Sequence, residues 1–151
     1  MSRIQPTRRL RMPRATKSEV PFEHSEAVQL MHLVRLHENK HPELRWLFAV
    51  PNGGHRNKVA AGKLKAEGVK SGVPDYLLPL VQSKSVCGVG YIGLALELKR
   101  TKRGQTSAEQ RDWLNHFDDQ GWRAVVCQGH AHAWAVICEY LSIPNCLERG
   151  A

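Results

Sequence analysis

No stretch of this 151-residue chain stays apolar for the roughly 20 residues that a transmembrane helix requires, which argues against a membrane-spanning protein. The four cysteines, Cys87, Cys127, Cys138 and Cys146, include no C-x-x-C pair and follow no secretory signal. A disulfide-stapled secreted fold is therefore not expected, and the thiols read as reduced and mostly buried in a cytoplasmic protein. His130 and His132 form an H-x-H near Cys127 and Cys138, but no second ligand pair stands at finger-like spacing. Two ordinary histidines at a helix start account for them better than zinc does. There is no internal repeat, so the chain is not a repeat array.

Acids are missing from residues 1 to 17, which carry Arg3, Arg8, Arg9, Arg11, Arg14 and Lys17. That segment contributes +6 of a formal charge of +8, leaving +2 for the rest. Such an arm suits a phosphate backbone, to which it would add affinity without sequence choice. A solvated tail fits the composition equally well. An Arg-rich, acid-free start also matches transit-peptide composition, which nothing downstream supports. Residues 1 to 20 thus read as a basic arm and residues 21 to 151 as one domain. At 42% hydrophobic and 24% charged residues, that domain is expected to be soluble and globular.

Within the domain, periodicity predicts a helix over about 23 to 38, a short strand at 45 to 50 ("RWLFAV"), and a glycine-rich turn ("PNGGHRN"). A basic helix ending near Gly68, a strand from about Asp75 to Val81 and a second strand over 91 to 99 follow. Ser107 and Gln110 make a capping box for the next helix, then come a strand at 122 to 128 and a helix at 130 to 141. The order predicts an α/β domain with helices on both faces of a central sheet.

The strand "GLALELKR" is unusual. Alternation puts Leu94, Leu96 and Leu98 on one face and Ala95, Glu97 and Lys99 on the other. Alone, E-x-K reads equally well as a strand end running into solvent. Asp75 changes the balance, because it opens the preceding strand and consecutive strands usually pair. Two carboxylates brought together repel unless a cation lies between them, and Mg²⁺ needs only one or two protein carboxylates. A lysine beside them can hold or deprotonate the attacking water, or offset charge on a phosphate, which is the chemistry of phosphodiester hydrolysis.

Pro74, Asp75, Glu97, Leu98 and Lys99 together resemble the PD-(D/E)xK nuclease signature. Ordered blocks around them, "EHSEAVQL", "AVPNGGHRN", "KLKAEGVKSGVPDYLLPL", "GLALELKR" and "SAEQRDWL...GWRAVV", resemble the VRR-NUC family over roughly residues 22 to 142. They are most similar to its short stand-alone viral or phage-type members.

The resemblance implies a restriction-endonuclease-like core with a mixed sheet flanked by helices. It implies Mg²⁺ or Mn²⁺ held by Asp75, Glu97 and the backbone carbonyl of Leu98, Lys99 as the catalytic lysine, and Gln110 at the site's edge. Glu26 resembles the family's helical glutamate, which contacts a water on the metal or a second ion. Glu23 lies close enough in phase to be the alternative. Asn52, Arg56, Arg100 and Lys102 are candidate DNA contacts on the turn and on the basic loop after the strand. The expected activity is a metal-dependent endonuclease acting on Holliday junctions or other branched DNA. It would work as a homodimer in the cytoplasm of a bacterial or phage-infected cell. The alternatives are an inactive or sequence-specific DNA-binding protein on the same fold, or a restriction-type nuclease.

Overall fold

The computed structural model describes residues 22–51, 58–82, 90–101 and 104–147. The basic arm, Asn52, Arg56, Cys87, Lys102 and the side chain of Glu23 lie outside the described residues. Elements follow the order α1 (Phe22–Glu38), β1 (Phe48–Ala49), α2 (Lys58–Ala66), β2 (Tyr76–Leu78), β3 (Leu94–Lys99), α3 (Ala108–Asp119), β4 (Arg123–Gln128) and α4 (Gly129–Leu141). The sequence order of helices and strands is therefore met, with shorter strands.

The sheet runs β1-β2-β3-β4 and is mixed. β2 lies antiparallel to β1 and β3, whereas β3 and β4 are parallel, as a strand–helix–strand crossover through α3 requires. The expected strand over 45–50 is corrected. Pro42–Trp46 form a 3-10 turn that Pro42 opens, and only Phe48–Ala49 pair. The reason lies in spacing, because Leu44 and Leu47 are the buried residues and a separation of three suits a tight helical turn, not an extended strand. β3 likewise begins three residues later than expected. Gly93 packs so tightly under the Trp122 ring that a Cβ there would lie 2.4 Å from it, and Tyr91 makes only an isolated bridge to Gln82.

The two faces of β3 meet different partners. Leu94, Leu96 and Leu98 join Leu30 of α1 and Trp134 and Ile137 of α4 in the main core. Register places Val125 and Cys127 of β4 beside Leu96 and Leu98, extending that apolar face. Burial drives the Cys127 thiol up to about 12, so it remains an inert apolar side chain. α3 packs on β3 and β4, and its Gln110 reaches the opposite face, where Glu97 and Lys99 point. No helix among the described residues is long and apolar enough to cross a membrane.

Candidate active site

The charged face of β3 is not a strand end in solvent. Glu97 is 1% exposed and Lys99 6% exposed. Lys99 Nζ lies 2.8 Å from Glu97 Oε1, so the two buried charges compensate each other. Gln110 completes the group. Its Oε1 accepts from Lys99 Nζ at 3.0 Å and from the Ser107 backbone N–H at 2.9 Å, while its Nε2 donates to Glu97 Oε1 in a short contact. Both groups facing Oε1 are donors only, which fixes the amide's orientation chemically.

Ser107 Oγ in turn accepts from the Gln110 backbone N–H at 3.2 Å, giving the full capping box. The start of α3 and the Glu97–Lys99 pair are thus one hydrogen-bonded unit. The sequence placed Gln110 in the cap and the resemblance placed it at the site's edge; in the structure one side chain closes the cap and touches both Glu97 and Lys99.

Asp75 enters from β2. Tyr76 pairs with Leu96 and Leu77 with Ala95, so continuing the register by one residue sets Asp75 opposite Glu97. Asp75 Oδ2 accepts from the Leu98 N–H at 2.8 Å. A strand residue's N–H and C=O point toward the same edge, so the Leu98 carbonyl also faces the Asp75 side. The next register partner is Pro74, which has no N–H to give that carbonyl. The proline of the Pro74–Asp75 pair therefore has a definite consequence: a ladder bond from this position is impossible.

Behind Asp75, Gly72 adopts φ +82, and a Cβ there would lie 2.7 Å from Glu109 Cβ and 2.8 Å from its backbone carbon. Trp113 Nε1 donates to the Ser71 carbonyl at 3.1 Å, and Lys70 Nζ sits 5.9 Å from the centre of the Trp113 ring. The loop before Asp75 is thereby clamped to the first turns of α3. Neither Gly72 nor Trp113 was singled out for this from sequence, since the contacts span some 40 residues of chain.

Glu26 occupies a neighbouring position, at the ends of β3 and β4. Its carboxylate accepts from Thr101 Oγ1 at 3.0 Å and from the His130 backbone N–H at 2.7 Å, and it lies 2.5 Å from His130 Nδ1. Burial alone would raise its pKa, but the bonds from His130 and Thr101 and the charge of His130 outweigh that and hold it below the ordinary value. Gln128 offers no side-chain cap to α4, so Glu26 supplies an acceptor at that helix start from across the fold. Thr101 and His130 were not expected as its partners. His132, the second member of the H-x-H, accepts from the Gln128 N–H at 3.1 Å through Nδ1. Both histidines therefore serve the start of α4.

Arg100 is exposed directly after β3. Among the described residues, no three His, Cys, Asp or Glu side chains gather into a metal cage. Asp75, Glu97 and the Leu98 carbonyl offer hard oxygen donors only. This donor set fits a hard divalent ion that keeps several waters.

A mixed sheet carrying an Asp on one strand and E-x-K on the next defines a nuclease fold of the PD-(D/E)xK class. The VRR-NUC domain model matches residues 14–131, and the chain belongs to that family. A solved structure named VRR_NUC domain protein is similar over 82% of this chain and 91% of its own, with a TM-score of 0.65 and 22% identity, which shows a shared fold. None of the curated proteins compared with the chain matches it. The family is one of nucleases that generally use divalent metal ions and act on DNA.

Proposed function

We propose that this protein is a Mg²⁺- or Mn²⁺-dependent endodeoxyribonuclease that cuts Holliday junctions or other branched DNA. The observation that carries this reading is the buried contact of Glu97, Lys99 and Gln110 directly across the register from Asp75. Asp75, Glu97 and the Leu98 carbonyl would hold the ion. When bound, a divalent ion polarises a phosphoryl oxygen and offsets the charge of the transition state.

Lys99, held in place by Glu97 and Gln110, points its charge where negative charge grows on the phosphate and holds the attacking water by a hydrogen bond. Gln110 fixes the direction of both groups. Glu26 stands at the end of β3 as the helical acid of the site. Arg100, with Asn52, Arg56 and Lys102, contacts flanking phosphates. The basic arm of residues 1 to 20 adds affinity that is independent of sequence. A homodimer would present two such sites to two strands. The place of action would be the cytoplasm of a bacterial or phage-infected cell.

The test incubates the protein with four-way junctions, flaps, single strands and linear duplex, in Mg²⁺, Mn²⁺ or EDTA. Junction cleavage in either metal is expected. Asp75→Ala and Lys99→Ala should each lower it by about 100-fold or more while DNA binding persists. Cleavage that continues in EDTA or in Asp75→Ala would overturn the site assignment.

A further inference from the structure

Phe48 is an exposed aromatic on the same sheet face as the charged cluster. Phe48 pairs with Leu77, and Leu77 with Ala95, so the three share a face. Ala95 and Glu97 alternate onto that face too, while the intervening Ala49, Tyr76 and Leu96 form the row on the opposite side. Continuing the same register gives Val50, Asp75 and Glu97 as the next row, and the Val50 N–H bonds the Asp75 carbonyl at 2.8 Å. Two strand spacings and two residues of rise separate the Phe48 and Glu97 Cα atoms by about 12 Å.

The two ends of this face differ. α3 lies over β3 and β4, whereas Phe48, on the outer strand, is 49% exposed. Two residues earlier Trp46 is 55% exposed, with the Arg45 guanidinium 5.2 Å from its ring centre. The edge beside Asp75 therefore combines bare aromatic surface with a cation. A flat, π-faced side chain within a nucleotide or two of a phosphate site suits a nucleobase. Two half-exposed rings, Trp46 and Phe48, still fall far short of the roughly 800 Å² per partner that a stable protein interface buries.

We infer that Phe48 is a stacking platform for a base close to the scissile phosphate, so that the site selects strands unpaired at that base. The inference rests on the nuclease reading above. A base inside a continuous duplex is already stacked on both sides and cannot offer its face, whereas one at a branch point can.

The test measures binding in EDTA by fluorescence anisotropy, using flaps and junctions with single abasic positions stepped past the branch, and linear duplex as reference. In the natural chain, one abasic position should weaken binding by about 5- to 150-fold, the range of a lost base–aromatic stack. Phe48→Ala and Phe48→Leu should bind the intact branched strand more weakly by the same factor, become indifferent to that abasic position, and leave duplex binding within about 2-fold. Phe48→Trp should restore the dependence. Phe48→Leu keeps apolar bulk while removing the π face, so it separates stacking from folding.

Equal weakening on duplex and branched DNA, persistent abasic sensitivity in Phe48→Leu, or a shift in self-association in place of base dependence would overturn the platform. Cleavage in Mg²⁺ is scored separately. Base dependence without any cleavage would sink the nuclease reading and leave the platform standing, and cleavage without base dependence would do the reverse.

Discussion

Gln110→Glu separates two roles that a single side chain fills. Glutamate at the third position of a helix completes a capping box as well as glutamine does and interacts favourably with the helix dipole. A residue serving only the cap would therefore tolerate the change or gain a few tenths of a kcal/mol from it. The structure predicts the opposite sign. Gln110 Nε2 donates to Glu97, a carboxylate 1% exposed, and the substitution replaces that donor with an oxygen. Losing a hydrogen bond to a buried charged group costs about 1.5 to 3 kcal/mol. Repulsion between the two carboxylates adds to this, and the shared Lys99 ammonium returns part of it. A net loss of about 3 kcal/mol lowers Tm by about 6 to 12 °C in a chain of this size. Thermal unfolding in EDTA at pH 7 measures it. Added Mg²⁺ or Mn²⁺ should recover part of the loss, and acid should also recover part of it by protonating one of the paired carboxyls. An unchanged or raised Tm at pH 7 would refute the coupling of the cap to the charged pair.

Glu26 gives a prediction in pH. Its folded-state pKa lies below the ordinary value, so its contribution to stability is fully present above about 4.5 and is lost as pH falls through the folded value. Glu26→Gln should lower stability at pH 7 and flatten the acid limb of the stability profile below that pH; a limb of unchanged slope would reject the role of its bonds to Thr101 and His130. Gly72→Ala should cost about 1 to 3 kcal/mol in urea unfolding, from left-handed backbone and the close approach of Glu109. The same substitution should slow cleavage more than it weakens DNA binding, because the clamp it disturbs sets Asp75 and the start of α3. Equal stability to the natural chain would show that the loop adapts.

The order of elements could be read from the sequence because its signals are local. Ser107 and Gln110 are three residues apart, Gly68 ends α2 with φ +93, and alternation within β3 already separated the leucines from Glu97 and Lys99. That the strands of Asp75 and Glu97 are neighbours followed from the pairing of consecutive strands, whereas the register that sets the two residues opposite each other came with the structure. What local patterns concealed were relations across the fold. Glu26 meets His130 from 104 positions away, and no periodicity encodes that distance. The apolar run at 45–50 misled because its burial depends on what lies beneath it. Leu44 and Leu47 face the core, whereas Trp46 and Phe48 meet solvent, so an apolar run carries both a structural and an exposed role. Pro74 was recognised as part of a motif, but its physical effect on the Leu98 carbonyl emerged only with the β2–β3 register.

The junction of the capping box with the Glu97–Lys99 pair has a bearing on the order in which the molecule matures. Gln110 can hold Lys99 and Glu97 only once the first turn of α3 has closed on Ser107. A chain whose α3 start has frayed keeps the Glu97–Lys99 contact along β3 but loses the amide that bridges the two and ties them to Ser107. Completion of one helix start thus fixes the arrangement of the whole charged face, and whatever frays that start loosens Glu97 and Lys99 together.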